Sequence, residues 1–344
     1  MDKASSLTAN ALNFHFELVE TPLLNDDYKG TILIIGGTPN KYLEHFSGHT
    51  ITVITHNAAH NALWEKEGIT PVQHTDNEFD LIIHFGTKFA QENLTTLGTY
   101  AQKLTAEGQW LTVIPNRTGA SRYKKDISKL FNEVETSSKS KCRIFEASNN
   151  FDAQLARKWA KLGEPKTIKD TELVTVPGVF SADKIDTGSL LIADILQQER
   201  WHGTIADLGA AYGFLSHTVL NTKHHKIRNI SLYELDHRAL ECAQKNLTDH
   251  ECAQYHWTDV TEAIPHQRPF DFVIMNPPFH EAQDSSFTLG KTFITQAANI
   301  LKPGGSLYLV ANIHLPYEKL IIEQFRSHRL LKEDKGFKVI HARK

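Results

Sequence analysis

Long apolar runs are missing from this chain of 344 residues: no stretch approaches the roughly 18 that a membrane span needs. The opening Met1-Asp-Lys-Ala-Ser-Ser-Leu7 lacks the basic-then-apolar pattern of an export signal, so a cytoplasmic protein with no membrane partner is expected. Cysteine is scarce. Cys142, Cys242 and Cys252 are odd in number and form no CxxC, which suits a reducing compartment and disfavours a zinc knuckle. The 19 histidines are scattered, and His224-His225 has no ligand-spaced partner, so no metal is expected. Two nucleotide signatures are also absent. No Gly-Lys-Ser/Thr excludes a P-loop, and Asp207-Leu-Gly-Ala-Ala-Tyr-Gly213 is not GxGxxG, which disfavours a nicotinamide dinucleotide.

Arginine is absent from residues 1–110, which carry six Lys against thirteen acids, a net −7; the remaining 234 residues carry 31 basic and 27 acidic groups, a net +4. The whole-chain value of −3 therefore hides an asymmetry of the kind nucleic-acid binding leaves in a sequence. Arg122, Lys124, Lys125, Lys139, Lys141 and Arg143 lie in a Ser-rich stretch holding seven basic residues against three acids. They are candidates for phosphate contact, with a solvated loop as the plainer reading.

What is present is an order of elements used twice. The apolar segments 30–35, 50–55, 79–84 and 110–114 read as strands, with Lys141–Phe145 a candidate fifth; residues 1–28 read as an entry helix or loop. Segments 204–209, 230–234, 270–275 and 301–310 repeat that order, and Phe270-Asp-Phe-Val-Ile-Met275 stands where Phe79-Asp-Leu-Ile-Ile-His84 stood. The expected fold class is α/β: two tandem Rossmann-like domains, each a mostly parallel sheet flanked by helices. The boundaries expected are 1–150, a connecting segment 151–203 with its helix through Leu190–Leu196, and 204–344. At this length two domains are also the natural expectation, and a monomer the default.

Chemistry concentrates in the second copy. Asn276-Pro277-Pro278-Phe279 ends a buried strand, where two prolines leave an amide and an aromatic ring at the carboxyl edge of a sheet. The Asn276 carboxamide and the Pro277 carbonyl suit the two hydrogens of a planar exocyclic amine, and Phe279 offers a stacking face. Asp207, Gly209 and Gly213 form the first strand-to-helix turn, Asp207 either orienting the loop or meeting a ligand ammonium. Glu234 ends the next strand, placed to accept from two ribose hydroxyls. Asp259 and Val260 end the third, placed to read an adenine edge. Asp186, Gly188 and Ser189 open a helix, capping it or presenting N–H groups to a carboxylate. The first copy has no acid at its first two strand ends, and Phe85-Gly-Thr-Lys-Phe89 replaces the Asn-Pro-Pro-Phe run, so it is expected to be non-catalytic.

Asn/Asp-Pro-Pro-aromatic is the signature of the S-adenosylmethionine-dependent amino-methyltransferases. From about residue 150 onward the chain resembles the RsmC-type ribosomal RNA small subunit methyltransferase C family. The resemblance rests on Pro177-Gly-Val-Phe-Ser181, Asp186-Thr-Gly-Ser189, Asn276-Pro-Pro-Phe-His280, Val310-Ala-Asn312, Leu315-Pro-Tyr317 and Gly336-Phe-Lys-Val339, with Asn116-Arg-Thr-Gly119 a weaker echo in the first half. It implies S-adenosylmethionine bound by residues 204–344 and methyl transfer to the N2 amine of a guanine near position 1207 of 16S rRNA in the assembled small subunit. It also implies a degenerate N-terminal domain that assists folding and RNA docking, and Phe180 joins the RNA-facing candidates. One departure stands out: the family's Gly-Cys-Gly loop is here Gly209-Ala-Ala211. Competing readings are methylation of a large-subunit guanine, of adenine N6 or of a protein glutamine, and a catalytically silent RNA-binding assembly factor. His280 is a candidate base or a structural histidine.

Overall fold

The computed structural model describes residues 3–18, 29–223, 225–264, 269–278 and 283–344, without the side chains of 3–5 and 283–286. Phe279 and His280 of the sequence motif, and His224, lie outside the described residues. The chain divides into two compact units, Met1–Glu164 and Pro165–Lys344. The segment 151–203 is therefore shared out between the units.

The first unit contains α1 (Lys3–Leu18), β1 (Thr31–Ile35), β2 (Thr50–Ile54), α2 (Ala58–Lys66), β3 (Phe79–Phe85), α3 (Ala90–Tyr100), β4 (Leu104–Pro115), α4 (Ala120–Leu130), β5 (Glu135–Lys139), β6 (Cys142–Ser148) and α5 (Ala153–Ala160). Its sheet runs β2-β1-β3-β4-β6-β5. The first four are parallel, and β6 returns antiparallel on β4 as half of a hairpin with β5. The basic stretch expected as a loop is thus α4 and this hairpin. Its charges lie on the solvent face of α4, whose Ala120, Tyr123, Ile127 and Leu130 are buried.

In the second unit a two-stranded pair, β7 (Lys166–Thr167) and β8 (Val174–Thr175), precedes α6 (Thr187–Leu196). Next come β9 (His202–Leu208), α7 (Phe214–Leu220), β10 (Lys226–Glu234), α8 (His237–Asn246), β11 (Ala253–Trp257), β12 (Phe270–Met275), α9 (Gln283–Ile300), β13 (Leu301–Asn312), α10 (Glu318–Gln324), β14 (Ser327–Asp334) and β15 (Phe337–Arg343). The sheet order is β11-β10-β9-β12-β13-β15-β14. Strand for strand this is the order of the first unit, with β11 added at one edge.

The duplication extends to hydrogen bonds. In the first unit the Asp80 carboxylate accepts from the Thr31 N–H at 2.8 Å and its hydroxyl at 3.0 Å; in the second, Asp271 accepts from the Thr204 N–H at 2.9 Å and its hydroxyl at 3.1 Å. β4 and β13 also bury the same twelve-residue pattern, interrupted at the same exposed turn. Neither match needs any chemistry in the first unit. It keeps the scaffold because a parallel sheet between two helical layers must seal the same strand ends in both copies.

The divergence is equally specific. Counting from the shared Phe-Asp, Phe85 occupies the place of Asn276. Its ring lies against Gly37, where an added Cβ would come within 2.6 Å of it, and 5.9 Å from the Tyr42 ring. The turn that would cradle a ligand is filled by the protein's own aromatic side chain. Truncating Phe85 to Ala should therefore lower the opening free energy of β1 and β3 amides by about 3–5 kcal/mol in native-state hydrogen exchange, with no binding of S-adenosylmethionine gained at that turn. A loss below about 1 kcal/mol would show that the ring is not a packing element.

Candidate active site

The second unit's sheet converges at the carboxyl ends of β9, β10, β11 and β12. β9 ends in Asp207-Leu208 and runs into Gly209, at φ +72°, and Ala211, at φ +47°, before Gly213 opens α7 at φ +83°. Ala211 thus takes a left-handed conformation that usually favours glycine. Here an alanine, not a glycine, holds the turn. Doing so aims its N–H at Glu234, whose Oε2 accepts it at 2.7 Å.

Glu234 closes a small ring of donors. Its other oxygen accepts from the N–H groups of Leu235 at 2.8 Å and Asp236 at 2.9 Å. Three of its roughly four lone-pair positions are used, so it offers one position to a ribose hydroxyl rather than the two its place in the sequence suggested. Burial pushes its carboxyl up to about 7, against the pull of those N–H groups. Asp236 caps α8 through the Arg238 N–H and pairs with the Arg238 guanidinium.

Asp207 is fully buried. Its Oδ2 accepts from Ser216 Oγ at 2.7 Å and its Oδ1 has no partner among the described residues. Of the two roles open to it, orienting the loop is the one this geometry performs; a buried carboxylate tied to α7 does not reach an ammonium. Burial again raises it, to about 7. Asp259 turns one oxygen back onto Thr261, accepting from its N–H at 2.8 Å and its hydroxyl at 2.7 Å, and its other oxygen has no hydrogen bond among the described residues. The Val260 side chain is in the core, so only its backbone faces a ligand. Gly188 is a packing glycine: a Cβ there would come within 2.9 Å of Phe337 on β15. Its expected cofactor role is indirect, through the close seating of α6.

Asn276 is where the two halves of the site meet. Its Nδ2 donates to Asp186 Oδ2 at 2.9 Å and to Ser189 Oγ at 2.7 Å, and Asp186 Oδ2 also accepts the Ser189 N–H at 2.9 Å as the cap of α6. The carbonyl Oδ1 is buried and has no partner among the described residues. Pro277 beside it is buried and Pro278 exposed. Because Asp186 already places a negative charge at the α6 N-terminus, that end suits a cation better than the ligand carboxylate the sequence allowed.

The RNA-facing candidates lie on α4, on the β5–β6 hairpin and, for Phe180, in the second unit. Arg122, Lys124 and Lys125 are exposed on α4, Arg122 lying 3.7 Å from Asp126; Lys139 and Lys141 are exposed on the hairpin and Arg143 is half-buried. The Lys139 ammonium sits 3.4 Å above the Phe14 ring. Phe180, 37% exposed, belongs to the other unit. Two anchors escaped sequence reasoning. Ser216 has no motif to mark it, and Asn246 clamps the loop from behind, bonding both backbone groups of Val174 and the Tyr212 carbonyl at 2.7–3.0 Å.

A Gly-turn after the first strand, an acid closing the second, and Asn-Pro-Pro after the fourth define the class: a Rossmann-like S-adenosylmethionine-dependent methyltransferase, here fused to a degenerate copy of itself. Residues 170–341, half the chain, match the Methyltransferase small domain family. The chain is 31% identical over 265 residues to ribosomal RNA small subunit methyltransferase C of Haemophilus influenzae (strain 86-028NP), covering 76% of this chain and 78% of that one. To the protein of the same name from Psychromonas ingrahamii it is 27% identical, over 90% and 91% of the two chains. Its fold is that of the Thermus 16S rRNA N2 G1207 methyltransferase, RsmC, in complex with AdoMet and guanosine, with a TM-score of 0.77 at 23% identity over 100% of this chain and 92% of that one. The chain belongs to the ribosomal RNA small subunit methyltransferase C family.

The raised Asp207 carboxyl has a measurable consequence. Between its unfolded value near 3.8 and its folded value of about 7, the folded chain holds a proton that the unfolded chain has lost. This stability is complete below pH 3.8 and disappears as pH rises through 7. Relative to Asp207→Asn, wild type should therefore gain up to about 4 kcal/mol in unfolding free energy from pH 8 to pH 4. A pH-independent difference would place Asp207 in a polar, solvated setting instead.

Proposed function

We propose that this protein transfers a methyl group from S-adenosylmethionine to the N2 amine of a guanine in 16S rRNA, at the nucleotide matching G1207, within the assembled small subunit. The observation that carries the reading is the buried Oδ1 of Asn276, which has no partner among the described residues. An acceptor left without a partner inside a protein costs about 1–3 kcal/mol unless a ligand supplies the donor, and an exocyclic amine supplies it. The residues that fit the cofactor are the left-handed turn at Gly209 and Ala211, the open position on Glu234, the second oxygen of Asp259 with the Val260 backbone, and the second oxygen of Asp186. Together they make an acceptor-rich rim for a ligand rich in hydroxyl, amine and ammonium donors.

When bound, S-adenosylmethionine supplies an electrophilic methyl on a sulfonium. The chain's own work is to hold the nucleophile. Guanine N2 is a weak nucleophile because its lone pair is delocalised into the ring. Asn276 Oδ1 and the Pro277 carbonyl, by accepting its two hydrogens, turn that lone pair out of conjugation and fix its direction. Flipping the base out of its stack is required for it to reach this edge, and the Phe279 ring is the proposed stacking partner. Most of the acceleration then comes from positioning, and the extra amine proton leaves to water.

The first unit contributes the exposed basic face of α4 and the β5–β6 hairpin for phosphate contact. Among the described residues no helix is long and apolar enough to cross a membrane. A cytoplasmic monomer acting on small subunits is the form we propose.

The test is transfer of labelled methyl to purified small subunits, large subunits and free rRNA, followed by digestion and identification of the modified base. N2-methylguanine confined to small subunits is expected, and Asn276→Ala should lower transfer at least 100-fold while leaving cofactor affinity within about twofold. Label in the large subunit, or in another base, would move the substrate. Cofactor binding without any transfer would favour the silent RNA-binding reading.

A further inference from the structure

We infer that Asp186 and Ser189, whose sequence reading pointed to the cofactor, are positioning residues that set which way the Asn276 carboxamide faces; the inference deepens the proposed function and rests on it for its kinetic arm. A side-chain amide has two nearly isosteric orientations, and only one presents an acceptor to an incoming amine. The other presents Nδ2, donor against donor. Something must therefore select between them. Asn276 follows immediately after β12, and neither Pro277 nor Pro278 has an N–H to hold its oxygen.

The selection comes from α6. Ionised Asp186 is acceptor-only, so within 2.9 Å of the amide it tolerates Nδ2 and repels Oδ1. Ser189 Oγ, at 2.7 Å from the same nitrogen, provides the second acceptor and uses up both Nδ2 hydrogens. A hydroxyl can donate as well as accept, so Ser189 alone would not discriminate; the carboxylate does. With both hydrogens held, Oδ1 is the one polar atom of this side chain left to face a substrate. The two holders are themselves fixed. Ser189 is 7% exposed, its N–H caps back onto Asp186, and Gly188 between them allows α6 to sit against Phe337.

The experiment combines side-chain NMR with kinetics on the full chain. Protein labelled with 15N-asparagine shows the Asn276 amide pair, identified by its disappearance in Asn276→Ser. In Ser189→Ala and in Asp186→Asn, which keeps a helix-capping side chain, that pair should shift and exchange with water at least tenfold faster, and Ser189→Thr should restore it. On small subunits, kcat of Ser189→Ala should fall about 10- to 100-fold with the dissociation constant for S-adenosylmethionine changed less than twofold. An Asn276 pair unmoved in both variants would overturn the inference, as would a moved pair with unchanged kcat. A loss confined to cofactor affinity would also overturn it, returning the α6 terminus to a binding role. If wild type forms no N2-methylguanine, the proposed function fails, while the amide signals still decide what holds Asn276.

Discussion

A single amide nitrogen ties the catalytic unit together. Asn276 Nδ2 can reach Asp186 and Ser189 only if the first turn of α6 sits at the end of β12, and α6 can sit there only if nothing intervenes between it and the sheet. Gly188 removes the side chain that would intervene, and Phe337 fills the contact from β15. Phe337 is in place because β15 runs antiparallel on β13, pairing it with Asn312, after the turn at Lys335 and Gly336, with φ of +48° and +83°. Motifs scattered from residue 186 to residue 339 are therefore one packing arrangement. Lys338, buried and ion-paired to Glu318, ties the same strand to α10.

The other half of the site depends on how the protein satisfies backbone N–H groups where strands stop. In a parallel sheet those groups point into the ligand edge with no neighbour to pair with. Glu234 gathers three of them and Asp236 begins the next helix, so the turn is held by side chains before any ligand arrives. The left-handed Ala211 is part of this arrangement. Its N–H reaches Glu234 because the backbone turns through a region that disfavours a Cβ by about 1 kcal/mol, and the charge-assisted hydrogen bond at 2.7 Å compensates it. An alanine thus holds a turn that usually favours glycine.

Much of this was legible in the sequence, for physical reasons. Apolar runs that end in an acid or a proline announce buried strands with a chemical edge, so the repeated element order, the glycine turn, Glu234 and Asn276 could all be placed from periodicity and spacing. What could not be read was anything depending on contacts across the sheet. Gly188 looked like part of a ligand loop because a packing glycine and a binding glycine are the same letter. Asp207 had two roles open to it in the sequence, and only the fold shows that the residue nine positions on, Ser216, holds it inside the core. β5 and β14 are so polar and exposed that their strand character is hidden, whereas β6 beside β5 could be read from Lys141–Phe145; every residue of β5 is exposed. The basic stretch read as a loop for the same reason.

The two copies then show what separates a scaffold from a site. Both retain the Thr–Asp bond that seals the start of the first strand and the same burial pattern along the strand beside the ligand edge. They differ in what stands where the matching apolar run stops, on β3 in the first copy and after β12 in the second. An aromatic ring there satisfies itself by packing, and Phe85 closes over Gly37. An amide cannot be satisfied by packing, so Asn276 obliges the fold to supply acceptors for its nitrogen and leaves its oxygen waiting for a donor. The first copy needs no acid at its strand ends because a filled turn has no ligand to hold. In the second, burial raises the carboxyls of Asp207 and Glu234 to about 7. That burial disfavours their ionised forms at the strand ends. Polar groups at the ligand edge thus cost the second copy stability, and the first avoids the cost by closing the matching turn with carbon.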